Sequence, residues 1–576
     1  MALFGKYTAF VLLLTVVAYF SIAVVCELTA VIETDRGPVV GEILRTVMNS
    51  VPYGSFRGIP YARPPINDLR FQPPEEAEPW VHVLEATAEG NQCPQMDFIK
   101  DTFSGNEDCL YLNVYTPKVN YDETSSSDLL PVMVWIHGGK FATGYANASY
   151  YGPDFILEEN VVMVAANFRL DILGFLALNI PEASENLQLK DQVLVLKWVQ
   201  RNIQKFGGDP NRVTIFGCSS GGVDVDLHMI SDASRGLFHG AIAMSSAPWS
   251  AWTFLTRNQS ETRAFHLGKV LGIDTEDKTT LYRELMKKTP EDLVTGGEKL
   301  LPNLIHADRK FKPIIEDARV AGVDAFLTEC PIKKYKAGSF AQVPFMSGFM
   351  RDEMLSFTTS TQNLHWYVEL ALKQFAGCHH PVQEKLTHLY DELSKVLHKH
   401  ISELPVELVT QAINHITNTL YRPVIDQKVK LVAEMSSAPA YYYQNSYNAE
   451  EYSYHRLQAR IIPSLTGAGH GDDLFTIFHV SIFDLPLDAD HPFSKARKRM
   501  VRMITNFAKY GNPTPDGTSD PVLNITWPRA PGKYMEINDQ LTIGDSPLNE
   551  DAKSIQKDLS GLVWDEFNGC DQSQSR

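Results

Sequence analysis

Residues 206–222 read FGGDPNRVTIFGCSSGG. Val213-Thr214-Ile215-Phe216 is a short, β-prone apolar run, as expected of a buried strand. Gly217-Cys218-Ser219-Ser220-Gly221 follows it with the form G-x-S-x-G. Glycines at both ends let a strand and a helix pass closely, so the chain can turn sharply at Ser219 and leave its hydroxyl exposed above a sheet edge. Three fixed positions carry little weight alone in a chain of 576 residues with 36 glycines. The surrounding sequence has to supply the rest.

Upstream, Leu194, Leu196, Val199 and Ile203 recur at helix-like intervals within 187–203, and this segment leads straight into the serine strand. Further back lie the β-rich runs 110–115, 132–136 and 161–166, with a polar excursion containing Ser125 to Asp128 between the first two. Strands separated by helical or loop segments are what a mainly parallel sheet with crossovers produces. The opening segments 29–32 and 39–43 alternate like a hairpin, and Arg63 to Pro74 is a Pro-rich loop. Downstream, a helix-rich region spans 361–434, interrupted near Gly377 and Pro405. Insertions over the carboxyl ends of strands commonly build the walls of a site. A strand at 440–447 follows, and 494–510 reads as an amphipathic helix with Ser494 as N-cap and Gly511 beyond its end. Its basic cluster of Lys495, Arg497, Lys498, Arg499 and Arg502 reads as a solvated face.

A net charge of −17 opposes association with phosphate backbones or anionic lipid, so neither nucleic acid nor a membrane surface is an expected partner. Lys6 precedes the apolar run 10–25, which together read as a secretory signal peptide over residues 1–26, cleaved after Ala23 or Cys26. The mature chain, 27–576, is then a single domain with a short tail, secreted to the extracellular space. Seven cysteines can oxidise along that route. Cys93 and Cys109 form the best pair, enclosing about 15 residues, which is worth roughly 3 kcal/mol in the chain-entropy model. Cys330, Cys378 and Cys570 stay unassigned. The sequons at Asn147, Asn258 and Asn524 suit the same route as glycosylation acceptors.

A serine hydroxyl becomes a strong nucleophile only when a neutral imidazole takes its proton and a buried carboxylate steadies that imidazole. His470 stands out in the Gly-rich loop Gly467-Ala468-Gly469-His470-Gly471-Asp472-Asp473. The chain order serine, acid, histidine places the acid between residues 220 and 469. There the strand-like run 343–349 ends in Met350-Arg351-Asp352-Glu353, and chemistry alone leaves Asp352 and Glu353 both open. Backbone donors for a developing oxyanion are expected from Ser220, at a helix start, and from the loop His137-Gly138-Gly139-Lys140-Phe141.

With these residues in place, the chain resembles the secreted type-B carboxylesterases of the cholinesterase-like α/β-hydrolases over nearly its whole mature length. Residues 206–221 fit that family's serine signature, and EDCLYLNVYTP at 107–117 fits its second. The GHGDD stretch at 469–473 looks most like the insect esterases. The resemblance implies an α/β-hydrolase fold, with a large, mainly parallel sheet flanked by helices and helix-rich insertions forming a gorge. It implies Ser219 as nucleophile, His470 as general base and Glu353 as acid, with Asp352 the runner-up. Gly139, Lys140 and Ser220 match the oxyanion-hole positions, Trp252 falls at an acyl-pocket aromatic, and Cys93 with Cys109 matches the first disulfide. The partner is a small-molecule ester, and no metal or organic cofactor is implied.

Four departures from the family pattern surround the serine. Cys218 replaces the usual Glu, which lowers the expected preference for cationic choline-like esters and makes Cys218 a pocket or packing residue. Ser220 replaces Ala without removing the backbone donor. Lys140 replaces Gly or Ala in the oxyanion loop, where its side chain either points away or obstructs the acyl group. Asp224 and Asp226 are also unusual, and read as carboxylates favoured near a helix start, the alternative being that Asp224 perturbs the acid–base network behind Ser219. No cysteines near 249–263 supply the loop disulfide of many relatives. A secreted serine carboxylesterase is the expectation, and a catalytically silent binding, adhesion or ligand-sequestering protein is the alternative that Lys140 and Cys218 support.

Overall fold

The computed structural model of the protein describes residues 27–97, 102–120, 128–300, 310–375, 380–457, 461, 463–515 and 520–559. The signal-peptide segment, Cys378 and Cys570 lie outside them. The chain is built on one 11-stranded sheet. Its strands in chain order are β1 (Glu42–Arg45), β2 (Pro52–Pro60), β3 (Tyr111–Thr116), β4 (Leu130–Ile136), β5 (Val162–Ala166), β6 (Gly208–Cys218), β7 (Gly240–Met244), β8 (Phe345–Met350), β9 (Ala440–Asn445), β10 (Tyr534–Ile537) and β11 (Leu541–Gly544). Their spatial order is β11-β10-β9-β8-β7-β6-β4-β5-β3-β2-β1. From β10 across to β5 every pairing is parallel. The outer strands β3, β2, β1 and β11 pair antiparallel. The fold is thus an α/β-hydrolase sheet, parallel through its centre.

Side chains alternate across that sheet into two cores. Val132, Val134, Ile136, Val213 and Ile215 join the larger cluster, with the helix α1 (Leu187–Asn202) and the helix α2 (Ser220–Ile230). Met133, Trp135, Phe216 and Cys218 point the other way, into a second cluster. Buried on both faces, the central strands read as near-continuous apolar runs. β6 begins at Gly208, earlier than its apolar run, because Gly208 pairs with Leu130 before an irregularity that resets the register at Val213.

The helix-rich insertion resolves into α3 (Thr361–Lys373), α4 (Pro381–Lys395), α5 (Val406–Leu420) and α6 (Arg422–Met435). The last long helix, α7 (Pro492–Tyr510), corrects the expected cap. His491 caps it through Nδ1, which accepts from the Phe493 amide, while Ser494 lies inside and donates to the Pro486 carbonyl. Pro at the first helical position sets the earlier start. Gly511 closes the helix at φ 65°. The basic cluster on α7 is also only partly solvated. Lys495 and Lys498 are exposed, but Arg497 is buried against the rings of Phe155 and Phe493, and Arg502 pairs with Glu159 and Asp520.

Cys93 and Cys109 are joined in a disulfide that closes the segment ahead of β3. Cys330 is disulfide-bonded as well. Cys218 is a free, buried thiol. Among the described residues, no helix is long and apolar enough to cross a membrane.

Candidate active site

The strand order reverses between β6 and β4, the place where open α/β sheets bind ligands at their carboxyl ends. β6 delivers Ser219 there and α2 starts one residue later, so the turn has no spare length. Ser219 sits at φ 62°, ψ −128°, a conformation that L residues avoid and that persists only where the surroundings enforce it. The Ser219 amide donates to the Met244 carbonyl at 3.0 Å. A Cβ at Gly217 would strike the Gly221 carbonyl, and one at Gly221 would strike the Ile136 carbonyl. The two glycines of the pentapeptide are therefore steric requirements of the turn.

The loop after β4 lies against this turn. A Cβ on Gly138 would fall 2.5 Å from the Cys218 carbonyl oxygen and 3.1 Å from Ser219 Cβ. Gly139, Lys140 and Phe141 all have positive φ, at 127°, 59° and 62°. The loop is fixed from behind, because the Gly139 carbonyl accepts from the Ala142 and Thr143 amides and the Phe141 carbonyl accepts from Asp171. His137 stacks on Phe168 with centroids 4.1 Å apart, and burial holds its pKa down at about 4. The amides of Gly139, Lys140 and Ser220 have no acceptor among the described residues. Two sources of free N–H donors, a loop and a helix start, thus converge beside Ser219.

Of the two carboxylates left open by the sequence, Glu353 meets the histidine. Its Oε2 lies 2.5 Å from His470 Nδ1, while Oε1 accepts from the Met350 amide at 2.9 Å. Asp352 instead accepts from the Ala468 amide and pairs with Arg351. The Ser356 hydroxyl donates to the His470 carbonyl at 2.7 Å. His470 Nε2 is buried and has no hydrogen-bond partner among the described residues, so the Glu353–His470 pair is assembled and the contact to Ser219 is not. Such bonds are often long before substrate binds.

Aromatic rings enclose the imidazole. Phe357 and Tyr421 approach His470 with centroids at 4.9 and 5.8 Å. Trp252 packs against Phe141 of the glycine loop and against Tyr421, which brings it to the same wall. The Lys140 side chain stays in the site, its Nζ 5.7 Å from the Phe357 centroid. Burial, reinforced by Lys310 and opposed by Glu298, lowers its pKa to about 8.

Beneath the histidine, Asp473 is 1% exposed and neither carboxyl oxygen has a hydrogen-bond partner among the described residues. Burial, then repulsion from Glu353, raises its pKa to about 7 against the pull of His470. The Cys218 thiol is pushed well up by burial and by the charges of Asp473 and Glu353. The adjoining Asp472 holds the loop, bonding His455 Nδ1 at 2.7 Å and accepting from the Gly469 amide.

Asp224 and Asp226 correct the helix-start reading. Neither lies in the first turn of α2 and both are fully buried, whereas dipole stabilisation fades beyond that turn. Side-chain partners hold them instead. Asp224 accepts from Gln188 and Gln192, and Asp226 from Lys428 and Ser246. The bonds of Asp224 therefore run to α1 and away from His470. Of the sequons, Asn258 and Asn524 are exposed, and Asn147 is half-buried, its side chain accepting from Ser149.

Phe357, Tyr421 and the His455–Asp472 pair carry no signal in the sequence. Aromatic residues at the ends of helices and turns read as core, and a histidine 17 residues before the carboxylate it bonds cannot be paired with it in advance.

The carboxylesterase family model matches residues 28–555. The chain is 34% identical over 513 residues to a juvenile hormone esterase of Tribolium castaneum, covering 86% of this chain and 84% of that one. It is 30% identical to the acetylcholinesterase of Bungarus fasciatus, covering 88% and 83%. Among solved structures, juvenile hormone esterase from Manduca sexta, with OTFP covalently attached, superposes with a TM-score of 0.77 at 27% identity over 92% of this chain and 99% of that one.

Proposed function

The chain belongs to the carboxylesterase family, and from that premise we propose that it hydrolyses carboxylic esters through a covalent acyl-serine intermediate. Ser219 Oγ adds to the ester carbonyl carbon as His470 Nε2 takes its proton, and the carbonyl π electrons move onto oxygen. The resulting oxyanion is held by the amides of Gly139, Lys140 and Ser220, each such donor contributing about 10²- to 10³-fold in rate. Collapse of the adduct breaks the bond to the alkoxide, which leaves with the proton from His470. Water then repeats the sequence on the acyl-serine, returning the acid and the free hydroxyl. Glu353 keeps Nδ1 protonated and stabilises the imidazolium.

The observation that carries this reading is the assembled Glu353–His470 pair with Nε2 unoccupied, on the same sheet edge as the strained Ser219. Ser219, half-buried and backed by two glycines that tolerate no side chain, supports its role as nucleophile. The apolar segment before residue 27, the sequons and the Cys93–Cys109 disulfide support a secreted glycoprotein.

Purified protein treated with a fluorescent organophosphonate is expected to carry one label, mapped to Ser219, and to hydrolyse short-chain aryl esters. Ser219→Ala abolishes both. A native, monodisperse protein that takes no label and turns over no ester refutes the enzyme and leaves the binding or adhesion alternative.

A further inference from the structure

Lys140 brings a cation into a site whose other walls are aromatic. It follows Gly139 in the loop that packs on the serine turn, and its left-handed backbone throws the side chain inward over Phe357. The same ring packs on His470. The ammonium is therefore held beside the reacting centre by contact with a ring that also borders the imidazole.

The nearby carboxylates are committed elsewhere. Lys310 takes both Asp171 and Glu298 as ion-pair partners. Glu353 is bound to His470 and to the Met350 amide. Among the described residues Lys140 makes no hydrogen bond or ion pair, and its Nζ lies over the face of Phe357. A half-buried ammonium with no ion-pair partner of its own, only the pull of a Glu298 already bound to Lys310, is costly, and a cation–π contact offsets only part of that cost. A ligand carrying a negative charge would supply the missing partner with a charge-assisted bond. A neutral, wholly apolar ester would leave the ammonium less hydrated and still unpaired, which discriminates against it.

We propose, resting on the esterase reading above, that Lys140 selects ester substrates bearing an anionic group, a carboxylate on the acyl or the alcohol portion, which its ammonium binds beside Phe357. Lys140 thus has two separable parts: a backbone amide aimed at the carbonyl oxygen and a side chain that reads charge at a distance from it.

Two matched pairs of esters test this: mono-4-nitrophenyl adipate against 4-nitrophenyl hexanoate, and 4-acetoxybenzoate against its methyl ester. For at least one pair, the ratio of kcat/KM for the anionic over the neutral member is expected to fall tenfold or more in Lys140→Met and Lys140→Gln. Lys140→Arg is expected to keep that ratio within threefold. Identical ratios in the parent protein and both neutral variants, for both pairs, overturn the proposal. Calorimetric binding of the uncleaved anilide and amide analogues to the same proteins gives a readout without turnover. Loss of the anionic analogues' preferential affinity in Lys140→Met supports charge selection even if no ester is hydrolysed and Ser219 takes no label. Equal affinities in the parent and variants reject it while leaving the esterase intact.

Discussion

Glu353 and Asp352 are adjacent carboxylates at the end of one strand, and only one of them reaches the histidine. The selection is made by the tight turn Glu353–Phe357, which swings Glu353 under His470 and leaves Asp352 to hold the backbone of the histidine loop. Glu353→Gln keeps the shape and removes the charge, so kcat is expected to fall by roughly 10³- to 10⁴-fold with a much smaller change in KM. Steady-state kinetics on one aryl ester measures it, and a loss under tenfold would remove Glu353 from the mechanism. Residue chemistry left the two neighbours open and only the family resemblance favoured Glu353, because the choice is made by a turn with no local signature. Asp473 supplies a second test. Its pKa in the folded state, about 7, lies above its ordinary value of 3.8. Between those values the native protein holds a proton that the unfolded chain has released, so this group's contribution to stability falls as pH rises through that window and is flat above it. Asp473→Asn removes the ionisation. Its unfolding free energy relative to the parent protein, read by denaturant unfolding at each pH, is expected to climb from pH 4 to pH 7 by an amount on the order of a few kcal/mol and then level.

Between elements, the serine helix α2 is tied to the insertion by one buried ion pair. Lys428 on α6 donates to Asp226 at 2.8 Å and to the Ser246 carbonyl at 2.7 Å, with both charged side chains fully buried. Burial lowers the Lys428 pKa and raises that of Asp226 to about 6, each against the pull of its partner. Removing one member strands the other, which costs about 3–5 kcal/mol, while removing both charges together costs much less. Lys428→Met is therefore expected to be destabilised by that amount in denaturant unfolding, and Asp226→Asn/Lys428→Met to recover most of it. A double variant no better than the single would show that packing, not the unpaired charge, sets the cost. Helices in this region announce themselves by periodicity, so α3 to α6 were legible in outline. The partnership of residues 226 and 428 was not, since it arises only once the insertion folds back on the sheet. The same limit explains the basic face of α7, where packing buries Arg497, but not its start, which Pro492 at the first helical position sets locally and which the choice of Ser494 as cap overlooks.

For the whole molecule, the strand order does the assembling. Ser219 leaves β6, the Gly139–Lys140 loop leaves β4, Glu353 follows β8 and His470 follows β9, so residues spread over more than half the chain meet at one sheet edge. That much was readable from strand-like runs each ending in a chemically apt residue. Of the enclosing aromatic wall only Trp252 was anticipated, through the resemblance, because the packing that brings Phe357 and Tyr421 to His470 leaves no local pattern. The Cys93–Cys109 bridge makes the scale of the molecule measurable. Its sequence separation of 16 corresponds to about 3 kcal/mol of loop-closure stabilisation. Melting entropy is about 2.1 cal/mol/K per residue, which over a chain of 576 residues comes to about 1.2 kcal/mol/K. Cys93→Ser/Cys109→Ser is therefore expected to lower the melting temperature by only about 2–3 °C at a fixed scan rate, although the same loss would move a 100-residue domain several times further. A drop of ten degrees or more would mean that the bridge restrains native structure around the site beyond its entropic effect on the unfolded chain. Hydrolysis measured well below the melting range separates the two cases, since a purely entropic bridge leaves the rate of the folded double variant close to that of the parent protein.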